Sequence, residues 1–161
     1  MPSFDVVSKV QMHEVDNAVL QTSKEIATRY DFRDTGTSIE RTDEGIVLRS
    51  DSEGRLEAAL DVLQEKLVRR KVSLKAIDPQ SPEPAGGSAF RQLVKICQGI
   101  SSEKAKELVK FLKGSSLKVQ AAIQADQVRV SGNKKDTLQQ AIAAMRNQDF
   151  GVELQFENYR D

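Results

Sequence analysis

The sequence predicts an α+β protein made of two ferredoxin-like (β-α-β-β-α-β) units in tandem, each an antiparallel sheet packed by two helices. Three observations predict it. Strand-like alternation and helix-like steps succeed one another in the order β-α-β-β-α-β, and the order occurs twice within 161 residues. A proline- and glycine-rich segment, residues 79–88, separates the two runs. Apolar positions of the second hairpin and helix also follow those of the first at a constant offset. Leu48, Leu56, Ala59, Leu60 and Leu63 correspond to Val130, Leu138, Ala141, Ile142 and Met145, 82 residues on, as duplication or convergence on one fold would produce. The expected domains are residues 1–78, a linker over 79–88, and residues 89–161, with one alternative left open: terminal strands exchange between halves in some duplicated folds, which would pair Phe4–Ser8 with the second sheet.

Each element has a local reason. Phe4–Ser8 reads as a strand. Val15, Ala18, Val19, Thr22 and Ile26 recur at steps of three and four, which is a helix. Ser38–Arg41 and Ile46–Arg49 read as strands joined by the turn residues Thr42-Asp43-Glu44-Gly45. Ser50 and Glu53 stand at capping-box spacing ahead of the stripe Leu56, Ala59, Leu60, Leu63, Leu67. Val72–Ile77 reads as the closing strand. After the linker, Phe90–Ile96 is a strand, Ile100, Leu108, Val109 and Leu112 mark a helix ending at Gly114, and Lys118–Gln124 with Gln127–Ser131 form a hairpin across Ala125-Asp126. Leu138, Ala141, Ile142 and Met145 mark the last helix, and Val152–Phe156 the last strand.

Composition narrows the functional classes. Hydrophobic residues make up 39% and charged residues 30%, as expected of a soluble globular chain, and no apolar run reaches the length of a bilayer span. A start lacking basic and apolar signal regions, together with the single cysteine Cys97, leads us to expect a cytoplasmic protein that makes no membrane contact. With one histidine, His13, and one cysteine there is no His/Cys metal cluster, and neither a phosphate-loop motif nor a Gly-x-Ser-x-Gly elbow occurs. The expectation is a binder without cofactor rather than an enzyme. The formal net charge is zero, but residues 1–88 hold 12 Lys/Arg against 16 Asp/Glu and residues 89–161 hold 12 against 8. An anionic ligand is expected in the second half, although the same imbalance also suits two halves that dock on each other.

Three constellations carry candidate chemistry. Ser131-Gly132-Asn133-Lys134-Lys135 lies between a strand and a helix N-terminus, where free N–H groups and the helix dipole favour an anion and two lysines add charge. The same turn also reads as an ordinary cap made by Asn133. Alternation places Lys118, Gln120 and Gln124 on one side of a strand, and Gln127, Arg129 and Ser131 on one side of its partner. Such a polar, basic face suits phosphates and base edges, though no stacking aromatic stands on these strands. Finally, Arg29-Tyr30-Asp31-Phe32-Arg33 and Phe156-Glu157-Asn158-Tyr159-Arg160-Asp161 place arginines beside aromatic rings, where Arg33 and Arg160 suit stacking and phosphate contact, and the rings also suit core plugs.

Taken together, Pro2-Ser3-Phe4-Asp5-Val6-Val7-Ser8, Tyr30-Asp31-Phe32-Arg33, Leu117-Lys118-Val119-Gln120, Gln127-Val128-Arg129-Val130-Ser131-Gly132 and Asn158-Tyr159-Arg160-Asp161 give the chain an end-to-end resemblance to the YajQ family of bacterial nucleotide-binding proteins. The resemblance implies two ferredoxin-like domains and nucleotide binding. Cyclic di-GMP is a ligand and transcription a downstream process for some members, RNA or DNA binding is also associated with the family, and no enzymatic activity is implied. The expected function is therefore a cyclic di-GMP or guanine-nucleotide receptor that acts in regulation, with a transcription regulator as a partner. RNA or DNA binding by the basic half is the alternative. Local chemistry gives the candidate contacts: Arg129, Ser131, Gly132, Lys134, Lys135, Lys118, Gln120, Arg33 and Arg160.

Overall fold

The structure, a computed structural model, describes all of residues 1–161. Its strands are β1 (Ser3–Val7), β2 (Ser38–Thr42), β3 (Gly45–Ser50), β4 (Ile77–Pro79), β5 (Glu83–Pro84), β6 (Phe90–Ile96), β7 (Val119–Gln124), β8 (Gln127–Gly132) and β9 (Gln155–Arg160). The helices are α1 (Met12–Thr28), α2 (Glu53–Arg69), α3 (Ser102–Gly114) and α4 (Lys135–Arg146). They form two antiparallel sheets, each with two helices, an α+β architecture with the ferredoxin-like strand arrangement. No helix is long and apolar enough to cross a membrane.

The chain divides into a central unit, Val10–Cys97, and a terminal unit, Met1–Lys9 with Gln98–Asp161. In the central unit the sheet order is β2-β3-β6-β4, with β5 also paired to β6. Val15, Ile26, Ile46, Leu48, Leu56, Leu63, Leu67 and Val94 are buried together in its core. In the terminal unit the order is β7-β8-β1-β9, and Phe4, Val6, Leu108, Leu112, Val128, Val130, Leu138, Ile142 and Met145 fill the core. These units differ from a simple cut at 79–88. β1 lies between β8 and β9, whereas β6 lies between β3 and β4. The physical reason is that both inner strand positions take an apolar alternating segment. Phe4 and Val6 plug one core and Val94 the other, each fully buried. The exchange also weakens the charge asymmetry. The terminal unit holds 11 Lys/Arg against 9 Asp/Glu, and the central unit 13 against 15.

Residues 79–88, expected as a linker without regular structure, are tied to the central sheet. Glu83 and Pro84 stand opposite Arg91 and Phe90, and the Gln80 N–H donates to the Leu93 carbonyl at 2.8 Å. Proline survives here because the segment is a two-residue edge pairing. The expected strand over Val72–Ile77 is shortened: a 3₁₀ turn occupies Leu74–Ala76 and the strand begins at Ile77. The Ser73 hydroxyl, which accepts from the Lys75 N–H, favours the turn. The last strand also starts later than expected, after the Asp149 carboxylate accepts from the Gly151 N–H at 2.8 Å. The cap of α2 is Ser52, whose hydroxyl accepts from the Arg55 N–H, while Ser50 shares a hydrogen bond with Thr37 instead.

Candidate functional site

β1 crosses the middle of the terminal sheet and sets the geometry of its polar face. Asp5 stands opposite Arg129 on β8 and Glu157 on β9. The Arg129 guanidinium donates Nε to Asp5 Oδ1 at 2.9 Å and a second N–H to Oδ2 at 3.4 Å, and the Asn158 amide donates to Oδ2 at 2.7 Å. Asn158 reaches back because it sits at a register shift of β9 with φ +58°, a left-handed conformation that asparagine tolerates. Arg129 holds the buried Asp5 carboxyl below its ordinary range, against the opposing effect of desolvation. Arg129, expected as the main phosphate ligand, is therefore bound up in an internal carboxylate pair. The signal that could have found this is Asp5 itself, an acid in the middle of an apolar strand.

One turn along the face, the register aligns Gln120 on β7, Ser131 on β8, Ser3 on β1 and Arg160 on β9 in a single row across all four strands. Three of these residues were candidates from sequence. Ser3 was missed, because only strand pairing makes it their neighbour. Lys118 is exposed just before β7.

At the end of this row the head of α4 meets the C-terminal strand. Pro2, Ser3, Lys135, Leu138, Gln139, Tyr159, Arg160 and Asp161 line a cleft of about 220 Å³. Lys135 is the first residue of the helix, and its ammonium pairs with Asp161 at 2.5 Å on the exposed surface. Tyr159 is 58% exposed, with its ring centroid 6.2 Å from that of Phe4. The N-cap of α4 is Lys134 and no side chain caps it, so Asn133 is not the cap that the sequence suggested. The exposed extended backbone at Lys134 leaves the first N–H groups of α4 uncapped by side chains. Gly132 contributes differently from expectation. Its N–H donates to the Pro2 carbonyl, and a Cβ there would meet Leu138 and the Lys118 carbonyl at 3.3 Å. The missing side chain lets β8 pack closely against Leu138 and the chain before β7.

Arg33 lies in the other unit. With Ile26, Arg29, Tyr30, Phe32, Asp34 and Gly36 it borders a cavity of about 420 Å³ at the end of α1. Phe32 is a core plug at 4% exposure, whereas Tyr30 is 85% exposed. Arg29 is occupied by Asp31 at 2.7 Å and Glu25 at 3.2 Å. No group of histidine, cysteine or acidic side chains is arranged to hold a metal ion.

Comparison with known proteins finds relatives along the whole chain. The family model described as "Nucleotide-binding protein YajQ-like" matches residues 2–160. A protein of Anaeromyxobacter sp. (strain Fw109-5) named a nucleotide-binding protein is 54% identical over 162 residues, covering 100% of both chains. A nucleotide-binding protein of Syntrophotalea carbinolica is 55% identical, with 99% of each chain covered, and one of Desulfitobacterium hafniense is 52% identical, with 98% of this chain and 97% of the relative covered. The chain, with its two exchanged-strand units and its polar row ending at Arg160, belongs to the YajQ family.

Proposed function

We propose that this protein binds a guanine nucleotide of the cyclic di-GMP class at the head of α4, and that the bound form is read by a regulatory partner in the cytoplasm rather than consumed by catalysis. The observation that carries this reading is the convergence of Lys135, Arg160 and the exposed Tyr159 ring on one cleft at an uncapped helix N-terminus. A phosphate oxygen there accepts from the Arg160 guanidinium, the Lys135 ammonium and the free N–H groups of α4. The Tyr159 ring offers a face for a base, and Ser3 and Gln139 offer donors and acceptors for sugar and base edges. The Lys135–Asp161 pair is exposed and weakly held, so a phosphate competes with Asp161 for the ammonium. The names of the relatives support the nucleotide, and the family resemblance supports cyclic di-GMP. The cleft by itself asks for a phosphate and one planar ring.

Isothermal titration against mono-, di- and cyclic nucleotides tests the reading. Lys135→Ala with Arg160→Ala is expected to weaken binding roughly a hundredfold, since two charge-assisted hydrogen bonds are removed. Lys134→Ala should do less, and Arg33→Ala nothing. If Arg33→Ala alone abolishes binding, the site is the cavity at the end of α1 and the reading fails. The row Gln120–Ser131–Ser3–Arg160 favours a second reading, single-stranded RNA or DNA laid across the sheet. Affinity for a polynucleotide that falls steeply with salt, without affinity for the free nucleotides, would select it.

A further inference from the structure

β7 is an edge strand: it pairs with β8 and with nothing on its other side. Such an edge presents a row of unpaired N–H and C=O groups, and folded proteins ordinarily guard it with charge, proline or brevity. The other edges here are guarded. β2 carries Glu40 and Arg41, the latter paired with Asp16; β4 has three residues including Pro79; β9 carries Glu157, paired with Lys9 at 2.6 Å. β7 has none of these devices. Its six residues are Val119-Gln120-Ala121-Ala122-Ile123-Gln124, with no charge and no proline, and Gln120, Ala122, Ile123 and Gln124 are exposed.

Beside this edge α3 presents a basic face. Lys106, Lys110 and Lys113 follow one another at steps of four and three, so they share one side of the helix. All three are exposed and none takes part in an ion pair, whereas Lys104 is paired with Glu107. Together with Val109 and Ile123 they line a groove of about 320 Å³ whose floor is aliphatic. Ile123 is 43% exposed on it.

From these features we infer that the β7 edge and the lysine face of α3 form a docking surface for an extended acidic segment of a partner protein. The segment adds as a fifth strand beside β7, with main-chain hydrogen bonds to the open edge. Its alternate side chains, about 6.6 Å apart along a strand, place carboxylates against lysines that follow one another at about 6 Å and 4.5 Å along the helix. An apolar side chain of the segment fills the groove over Val109 and Ile123. Charge complementarity selects this occupant. A second copy of the chain would set its own three lysines against these. A nucleic acid strand would find no aromatic ring and no arginine in this groove, the groups on which single strands stack.

The test uses the full chain and fluorescein-labelled octapeptides followed by polarisation: alternating Glu-Val, alternating Glu-Ser, alternating Lys-Val, and a twelve-nucleotide oligouridine. The Glu-Val peptide should bind roughly tenfold or more tightly than the other two peptides, and binding should fall by a similar factor in Lys106→Glu/Lys110→Glu/Lys113→Glu, in keeping with three exposed charge contacts. Ile123→Ser, at an exposed position that leaves the core untouched and the charge unchanged, should weaken it too, and amide exchange across β7 should slow when the peptide is bound. Circular dichroism checks that each variant is folded, and Lys110→Ala repeats the test with a milder change. Equal binding of Glu-Val and Glu-Ser, indifference to charge reversal, or unchanged β7 exchange overturns the inference. Oligouridine binding that alone responds to the charge reversal reassigns the surface to nucleic acid.

Discussion

The central and terminal units carry the same sheet order on different chemistry. In the central unit, the helix that follows the hairpin is closed by its own sequence: Ser52 caps α2, and Asp51 and Glu53 surround the turn with negative charge. In the terminal unit the corresponding helix, α4, opens without a side-chain cap between Lys134 and Lys135. The inner strands differ as well. β6 brings Val94 and Gln92 into a sheet bordered by pinned proline segments, while β1 brings Asp5 into the middle of a sheet where Arg129 and Asn158 hydrogen-bond it and the charge of Arg160 adds to their effect. The comparison teaches that one ferredoxin-like frame tolerates either a self-satisfied or an open helix terminus. The open one lies beside Arg160 and Tyr159.

The largest effect on the difference between the units is expected at Gly45, which begins β3 with φ +143°. A Cβ there would meet the Val94 carbonyl oxygen of β6 at 2.4 Å, and backbone cannot swing away as a side chain does. Gly45→Ala should therefore destabilise the protein by about 3 kcal/mol, combining strain with displacement of β6. Urea unfolding with amide exchange should show the loss in β3 and β6 before β8. Equal loss in both units would mean that they unfold as one.

Next in size is Asp5. Asp5→Ala leaves the Arg129 guanidinium without its carboxylate and should cost about 2 kcal/mol. The pair also sets a pH dependence. Because the folded carboxyl titrates below its ordinary value of 3.8, its stabilisation is fully present above that value and is lost as pH falls through the lowered folded pKa. Unfolding midpoints of the natural chain should therefore fall on acidification below 3.8, and Asp5→Asn should flatten that acid limb. An unchanged limb in Asp5→Asn would assign the acid sensitivity to other carboxylates.

The smallest effects sharpen the contrast between the helix termini. Ser52→Ala should destabilise the central unit by about 1 kcal/mol, the usual cost of a lost cap. Lys134→Ser should do the opposite in the terminal unit, gaining a few tenths to about 1 kcal/mol. In titrations it should also weaken nucleotide binding, because the serine hydroxyl competes for the same N–H groups. Stabilisation with unchanged binding would show that the α4 terminus is not part of the site.

Much of this molecule was legible in the sequence because it is local. Helix periodicity placed Val15, Ala18, Val19, Thr22 and Ile26 on the buried face of α1, and Leu138, Ala141, Ile142 and Met145 on that of α4. Turn chemistry placed both hairpins, and the strand order of each unit matches the predicted fold class. The candidate site was half legible. Lys135 and Arg160 were named from charge and position, and they line one cleft, but Ser3 and Gln139 beside them carry no local signal.

Partners, by contrast, were set by long-range packing. An alternating apolar strand such as Phe4–Val7 or Leu93–Ile96 looks the same whichever sheet receives it, because pairing is set by long-range packing and not by the strand's own alternation. The same holds for charge. The sequence records that Arg129 is cationic and exposed by alternation. Whether it serves a ligand or a buried acid depended on Asp5 arriving opposite it from 124 residues away, at 2.9 Å, where a desolvated carboxylate binds a guanidinium more firmly than water does.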